Sequence, residues 1–193
     1  EGNKILITYD PYNRHELTYT LNEHYVGYSG SVLSLDVTNV TKQTAATYTI
    51  DTLDGYTQIK TSTATPALTT LETLSGVSFN PLFQRSEQIL TTVKNGSVNY
   101  LDDDGNVDWK VTLNDFTEVE IKDTMRYDPA NELLNSYDSV GTTKAFTGST
   151  SSHWEATEMN PFGQVLAYER TGVNEAGRSC ILSDTLLPTA EVA

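Results

Sequence analysis

The chain has 193 residues, with 12 Lys or Arg against 26 Asp or Glu, and its formal net charge is -14. It has no cluster of basic residues, which argues against a protein that binds nucleic acid or anionic lipid through phosphate groups. It also lacks a run of about 18 apolar residues, so no membrane-spanning helix is predicted. The single cysteine cannot form an intrachain disulfide.

The first third of the chain alternates apolar and polar residues, which predicts β-strands. Gly27 and Gly30 mark bulges or turns, and Leu53-Asp54-Gly55 marks the turn of a hairpin. The predicted strands in this part are residues 4–9, 16–21, 25–30, 31–37, 47–51 and 56–62.

Residues 63–76 have a different pattern, which predicts a short helix. Pro66 suits the first helical position, and Gly76 suits the position just after the helix ends. Leu68, Leu71 and Leu74 recur at a spacing of three. This segment also offers a boundary between two halves of the chain.

Residues 88–122 predict a meander of four antiparallel strands. Asn95-Gly96, Asp102 to Asn106 and Asn114-Asp115 separate short runs of β-branched and aromatic residues. Asn-Gly and Asp-Gly favour hairpin turns because such turns need positive φ angles.

Two more strands are predicted near the C-terminus, at residues 153–159 and 164–171. The sequence therefore predicts an all-β domain. Its strands would form an antiparallel meander, sandwich or barrel-like arrangement with at most one or two short helices. We expect one domain over residues 1–193, with a possible subdivision into 1–76 and 77–193.

A small turn unit recurs, in which Asp or Asn is followed after two residues by Asn or Gly. The chain here resembles the YD-repeat (Rhs/teneurin-like) family, mainly in its C-terminal half. Asn stands at 13 and 131 where the family has Gly, and no copy is found between residues 18 and 98. The resemblance implies a β-strand shell or spiral rather than a catalyst, and ordinary type I turns are the alternative. The matches are Tyr9-Asp10-Pro11-Tyr12-Asn13-Arg14, Tyr127-Asp128-Pro129-Ala130-Asn131-Glu132-Leu133 with Gly141-Thr142-Thr143, and Asn160-Pro161-Phe162-Gly163-Gln164-Val165.

The acidic loop around Gly105 superficially resembles a calcium loop. In an EF-hand the glycine is the sixth residue and a Glu is the twelfth, whereas here Gly105 is fourth and Leu113 is twelfth. The loop is therefore interpreted as a hairpin loop, with a weak surface Ca²⁺ site as the alternative and no other cofactor expected. The candidate ligands are Asp102, Asp104, Asn106 and Asp108.

No catalytic constellation is found in the sequence. His15, His24 and His153 match no short metal-ligand spacing, and there is no Gly-x-Ser-x-Gly elbow. Tyrosine is the enriched aromatic residue and is concentrated in the first thirty positions. Such rings could stack on glycans, fill a protein interface or pair across strands within the sheet. The candidate glycan or interface residues are Tyr9, Tyr12, Tyr19, Tyr25 and Tyr28.

These observations favour a non-enzymatic structural protein that associates with itself. The expected setting is an extracellular, cell-surface or virion structure such as a filament, tube or shell, because open strand edges can add to a neighbouring sheet. The alternatives are a carbohydrate-binding module that uses the tyrosine-rich face, or part of a YD-repeat shell. A hydrolase with an unrecognised site is the third alternative.

Overall fold

The structure is a computed structural model that describes residues 2–29, 32–102, 104, 106–144, 149–160, 164–173 and 179–185. Every regular element in these ranges is a β-strand, so the prediction of an all-β fold is confirmed. The strands are β1 Gly2–Tyr9, β2 Glu16–Ser29, β3 Val32–Thr49, β4 Thr52–Ser62, β5 Leu68–Phe79, β6 Arg85–Leu101, β7 Val107–Tyr127, β8 Leu134–Thr143, β9 Ser149–Met159, β10 Val165–Val173 and β11 Ser179–Thr185.

The strands follow each other in the sheet in chain order, from β1 to β11. The registers of β1 to β5 and of β8 to β11 are antiparallel, so the predicted meander is confirmed. In this order β1 and β11 each have a single neighbour. No helix in the described ranges is long and apolar enough to cross a membrane.

The chain divides into two compact units. Unit 1 contains residues 1–76 and 90–118, and unit 2 contains residues 77–89 and 119–193. Strands β5, β6 and β7 each contribute residues to both units. One boundary therefore falls after Gly76, where the sequence suggested a subdivision.

The predicted helix at 63–76 is wrong. Residues 63–67 form a turn, and β5 begins at Leu68. In a strand, a spacing of three places Leu68 and Leu74 on one face and Leu71 on the other. Leu74 is accordingly 4% exposed, whereas Leu71 is 37% exposed.

Three predicted turns inside long strands are also wrong. β6 continues through Asn95-Gly96, β7 continues through Asn114-Asp115, and β4 includes Leu53-Asp54-Gly55. Gly96 has a φ of 120°, Asp115 has a φ of 49°, and the β3–β4 register shifts opposite Asp54. Bulges need unusual backbone angles just as turns do, so these residues mark irregularities in continuous strands. The 88–122 region therefore contributes to two strands rather than four.

The predicted strands 25–30 and 31–37 correspond to the end of β2 and the start of β3, because β2 ends at Ser29 and β3 begins at Val32. The register shifts between Gly27 and Tyr28, where Ser34 of β3 is the extra residue, so the bulge or turn predicted at Gly27 corresponds to a bulge in the partner strand. Gly30 lies outside the described residues.

Burial in the sheet is shallow. Leu74 is the only buried apolar side chain in the described part of the chain, and the buried polar side chains there are Gln43, Ser136 and Ser139. In the described structure, the contacts between strands are contacts between neighbours in the sheet. The described strands therefore lack the apolar core that a second packed layer would create.

Candidate functional site

The recurring turns are closed by backbone hydrogen bonds of two lengths, spanning five residues at Asp10 and Asp128 and four residues at Asn80 and Asn160. In the first, the backbone N–H of Asp10 donates to the carbonyl of His15 at 2.8 Å, and that of Arg14 donates to the carbonyl of Asp10 at 3.0 Å. The Asp10 carboxylate accepts from the backbone N–H of Tyr12 at 2.8 Å. This Asx turn closes the hairpin between β1 and β2.

The turn at Asp128 repeats these contacts. The backbone N–H of Asp128 donates to the carbonyl of Leu133 at 2.9 Å, and that of Glu132 donates to the carbonyl of Asp128 at 2.8 Å. Asn131 stands where the resemblance expects Gly, and its Oδ1 accepts from the backbone N–H of Leu133 at 3.0 Å. The asparagine thus adds a hydrogen bond that glycine lacks.

A turn that is one residue shorter, and that the sequence motif does not reveal, lies at Asn80. Its backbone N–H donates to the carbonyl of Gln84 at 2.9 Å, and its Oδ1 accepts from the backbone N–H of Leu82 at 2.9 Å. Asn160 and Gln164 have the equivalent backbone contact at 2.9 Å. The signal was Asn80-Pro81, which matches Asn160-Pro161, but Phe83 in place of glycine concealed it.

These turns follow a simple order in the chain. They connect β1 to β2, β5 to β6, β7 to β8 and β9 to β10. Successive connections of a meander alternate between its two ends. The last three turns belong to unit 2, so they lie at the same end of that unit.

Phe83 gives a test of this turn geometry. Its φ is 59°, a left-handed conformation that costs a non-glycine residue about 1–2 kcal/mol, and its side chain is exposed. We expect Phe83→Gly to raise the free energy of unfolding by about 0.5–1 kcal/mol in urea denaturation, after the entropy cost of glycine. Leu82→Gly, at an exposed neighbouring position, is the control and should not stabilise. Equal or lower stability for Phe83→Gly would contradict the turn geometry.

A polar ladder crosses unit 1 on the face that contains Leu74. Tyr19, Gln43, Gln58 and Glu72 are register partners on β2, β3, β4 and β5. Gln58 Nε2 donates to the Tyr19 hydroxyl at 3.0 Å and to Gln43 Oε1 at 3.2 Å. Gln43 Nε2 donates to the carbonyl of Leu17 at 3.2 Å, so both ends of the buried Gln43 amide are satisfied, and the Tyr56 hydroxyl donates to Glu72 at 2.8 Å. The ladder therefore connects four strands without an apolar core.

The ladder ends in charged groups. Lys60 Nζ lies 2.8 Å from Glu72 Oε1, and Lys4 Nζ lies 4.1 Å from the centre of the Tyr19 ring. Lys4 also contacts Glu16, and this hydrogen bond raises the pKa of the ammonium group above its usual value. These charged groups are paired with each other.

An aromatic row crosses unit 2. Tyr137 and Trp154 are register partners on β8 and β9 and stack with ring centres 5.3 Å apart. Tyr168 on β10 lies 6.1 Å from Trp154. The ring faces of this row contact each other, which is the cross-strand pairing of aromatic residues that stabilises sheets.

Asp138 is held by two side chains on neighbouring strands. Its carboxylate accepts a hydrogen bond from Thr124 and lies 2.7 Å from His153 Nδ1. The Thr124 hydrogen bond, and then the His153 contact, lower the pKa of Asp138 below its usual value. The hydroxyl faces the carboxylate rather than the imidazole, so this trio does not have the order of a nucleophile, a base and an orienting acid.

The Asp138 network makes stability depend on pH. Because the pKa of Asp138 is lower in the folded chain, its stabilisation is complete above the unfolded pKa near 4 and is lost as pH falls through the folded pKa. We expect Asp138→Asn to lose about 0.5–1 kcal/mol of unfolding free energy at neutral pH. The two proteins should converge as pH falls through the lowered pKa of Asp138, as measured by urea denaturation at a series of pH values. A difference that does not change with pH would contradict an ionic role for Asp138.

The acidic loop is organised by Asp102. Its Oδ1 accepts from the backbone N–H of Asp104 at 3.0 Å and of Asn106 at 2.7 Å, so the carboxylate closes the turn. No group of three or more His, Cys, Asp or Glu side chains suited to a metal ion is found in the described residues. Asp103 and Gly105 lie outside those residues. The contacts given by the structure are those of a hairpin loop.

The five candidate tyrosines do not form one surface. Tyr9 and Tyr12 lie at one end of β2, and Tyr25 and Tyr28 lie toward the other, about 30–40 Å away along the strand. Tyr19 lies between them in the polar ladder, under Lys4. Tyr12 is 95% exposed.

Unit 1 has a projecting ribbon where β2 and β3 meet. β4 pairs with β3 from Asn39 onward, and the backbone N–H of Thr63 donates to the carbonyl of Thr38. Residues 24–29 and 32–38, here named the first arm, pair with each other over about 20 Å beyond that point. In the described structure, β4 does not pair with β3 from Leu33 to Val37.

A second ribbon projects from the same end of unit 1. The backbone N–H of Ser97 donates to the carbonyl of Ala67, immediately before β5 begins, so β6 extends beyond β5 after this point. Described residues 99–110 of this ribbon are all exposed, and Tyr100 stacks on Trp109 at 3.9 Å. Residues 98–102, 104 and 106–110 are named the second arm.

β4 and β5 lie between the two arms in the sheet. They are joined by the turn 63–67 and do not extend as far as the tips of the arms. The space above this turn is here named the notch. It is two strands wide, so β3 and β6 are about 14 Å apart across it. Backbone groups of both arms border the notch.

Comparison with protein-family models, curated proteins and solved structures found no match.

Proposed function

We propose that the protein is a non-enzymatic structural subunit that associates with copies of itself in an extracellular, cell-surface or virion structure. The observation that carries the proposal is the shallow burial of the sheet, in which Leu74 is the single buried apolar side chain among the described residues. When another sheet covers the apolar surface of a single layer, that surface is removed from water, which stabilises the assembly.

The exposed residues support the same proposal. Large apolar side chains are exposed on both arms, which are the least paired ribbons of unit 1. Clusters of exposed apolar side chains are typical of sites where proteins associate. These residues are Tyr25, Val26, Tyr28, Leu33, Leu35, Tyr100, Leu101, Val107 and Trp109.

The side-chain networks support a structural role rather than a catalytic one. The polar ladder, the aromatic row and the Asp138 trio each connect neighbouring strands, and their polar atoms are directed at each other. They stabilise sheet order where an apolar core is missing. A catalytic site would instead bring a nucleophile and a base to one cleft.

A YD-repeat shell is the second proposal. The Asx turns at Asp10, Asn80, Asp128 and Asn160 favour it, because a repeating turn at alternate connections is suited to a sheet built from repeated hairpins. In that case further segments of one polypeptide, rather than separate copies, would cover the sheet.

A glycan-binding module is the third proposal. It would need separate sites at Tyr12 and at Tyr28, since the length of β2 lies between them.

Electron microscopy of the purified chain over a range of concentrations tests the first proposal. We expect particles larger than one chain, in which copies contact each other. Single chains throughout, together with binding to a glycan array that is lost on replacing Tyr12 or Tyr28, would overturn it in favour of the glycan module.

A further inference from the structure

We propose that the second arm docks on a different protein, whose surface carries arginine or lysine side chains around an apolar centre. This inference goes beyond the proposed self-association, because the partner is not a second copy of the chain. Its basis is an exposed pair of stacked aromatic rings, Tyr100 and Trp109, beside an acidic loop.

The apolar face of the second arm is built from both of its strands. Trp109 of β7 stacks on Tyr100 of β6, with ring centres 3.9 Å apart and ring planes 7° from parallel. Val107 lies on the same face of β7 as Trp109, because side chains alternate along a strand. Trp109 is 52% exposed and Val107 is 56% exposed. Exposed Trp and Tyr side chains that hold each other in place are suited to anchor a protein interface.

The exposure of this face does not depend on either end of the chain. The second arm belongs to β6 and β7, which lie in the middle of the strand order. The backbone N–H of Ser97 donates to the carbonyl of Ala67, and β6 then continues to Leu101. The arm therefore projects because β5 begins at Leu68, whereas β6 and β7 extend further.

Other rings of the chain show what such a surface takes. In the described residues, three lysine ammonium groups lie over an aromatic ring, and each of them also forms an ion pair with a glutamate. No described Lys or Arg lies over Tyr100 or Trp109 in this way. A cation from a partner would complete the same arrangement on the second arm. The three existing sets are Lys4 with Tyr19 and Glu16, Lys94 with Phe116 and Glu118, and Lys122 with Tyr137 and Glu120.

The charge of the second arm determines the kind of partner. Its described residues include Asp102, Asp104 and Asp108 against Lys110. Lys110 is two residues from Asp108, so alternation places both on the face of β7 opposite Trp109. The apolar face is thus bordered by the acidic loop, and it has no cation of its own. A basic partner surface complements this charge, whereas an acidic one would be repelled.

A second copy of the chain does not offer such a surface. No two of its 12 Lys and Arg residues lie fewer than four positions apart in the sequence. Lys4, Lys60, Lys94 and Lys122 already lie within ion-pair distance of a glutamate. A net charge of -14 on each copy would also repel the acidic tip of another. The complementary surface therefore belongs to a different protein.

Three synthetic octapeptides serve as probes of the full-length chain. In each peptide leucine alternates with one other residue, which is arginine, serine or glutamate, so that the apolar content is constant and the charge changes. We expect the arginine peptide to bind in isothermal titration calorimetry at about 0.1 M salt. The serine peptide should bind at least about tenfold more weakly, and the glutamate peptide should not bind measurably.

Truncation of the ring locates the binding surface. We expect Trp109→Ala to weaken binding of the arginine peptide at least about tenfold, because an exposed Trp is the anchor of the apolar face. Tyr12→Ala is the matched control, since Tyr12 is an exposed aromatic residue beside Asp10 in a different turn. This control should bind within about twofold of the wild type. Far-ultraviolet circular dichroism confirms that each variant keeps its strands.

Charge removal gives an independent readout. We expect Asp104→Asn together with Asp108→Asn to weaken binding of the arginine peptide about three- to tenfold, with the loss shrinking as salt is added. Glu155→Gln together with Glu158→Gln removes the same charge from exposed positions on β9 and should leave binding unchanged. This pair separates attraction to the second arm from attraction to the net charge of the chain.

Each outcome decides for or against a basic partner on the second arm. Failure of the arginine peptide to bind, or equal binding to Trp109→Ala and Tyr12→Ala, would overturn the inference. Binding to phosphatidylcholine vesicles that Trp109→Ala abolishes, without binding of the arginine peptide, would assign the arm to a lipid surface instead. Loss of self-association in Trp109→Ala would also overturn it, because the arm would then contact copies of the chain. Loss of peptide binding in Trp109→Ala, with self-association unchanged, supports it.

Discussion

Replacing Gly96 by alanine is expected to lower the free energy of unfolding by about 3 kcal/mol. The new Cβ would lie 1.8 Å from the carbonyl oxygen of Ala67 and 2.9 Å from its carbonyl carbon, and both atoms belong to the backbone. The φ of Gly96 is also 120°, which side chains rarely adopt. Because β6 leaves β5 at this point, the substitution should push the two strands apart at the floor of the notch. Urea denaturation followed by circular dichroism measures the loss.

Gly2→Ala is the matched control for Gly96→Ala. The nearest atom to a Cβ at Gly2 would be 3.7 Å away, which is an ordinary contact. This variant should unfold within about 0.5 kcal/mol of the wild type. If Gly96→Ala is as stable as the wild type, β6 does not approach Ala67 as described, and the notch does not have this floor.

Leu74→Ala is expected to have the next largest effect, a loss of about 2–3 kcal/mol in unfolding free energy. Leu74 lies opposite Tyr56 on the face of the polar ladder and is 4% exposed. Removing its side chain should leave a gap where unit 1 has its best-buried apolar contact. Thermal and urea denaturation both measure this loss.

Leu71→Ala is the control for Leu74→Ala, since Leu71 is in the same strand on the opposite face. With 37% of Leu71 exposed, its truncation should cost less than about 1 kcal/mol. Equal losses at the two positions would mean that both faces of β5 are covered to the same extent. That result would contradict the description of a sheet with one sparsely buried face.

The fold class could be predicted because alternation of apolar and polar residues depends on the strand itself. β1, β9 and β10 lie close to their predicted bounds for this reason. The length of the strands could not be predicted from turn residues. Asn95-Gly96 and Asn114-Asp115 permit positive φ angles, and a bulge in a long strand uses that property as readily as a hairpin turn does.

The helix prediction at 63–76 failed for a related reason. Leucines at a spacing of three fit a helix, but β-branched Thr69, Thr70 and Thr73 lie between them and favour a strand. The pairing of Thr69 to Leu74 with β4 decides between these local preferences. That pairing is a long-range contact, which a local pattern does not contain.

The parts of the candidate site differ in how visible they are in the sequence. The turns at Asp10 and Asp128 could be recognised from Asp-Pro, whereas the one at Asn80 was hidden by Phe83. The arms and the notch could not be recognised at all. They arise because neighbouring strands have different lengths at this end of the sheet. The alternation of apolar and polar residues does not specify where a strand ends.

Sedimentation equilibrium of the wild-type chain, over about a hundredfold range of concentration, tests the central claim most directly. The claim is that the open sheet is completed by other copies of the chain. The account predicts an average mass that rises with concentration from one chain to at least two. A mass of one chain at every concentration would contradict it.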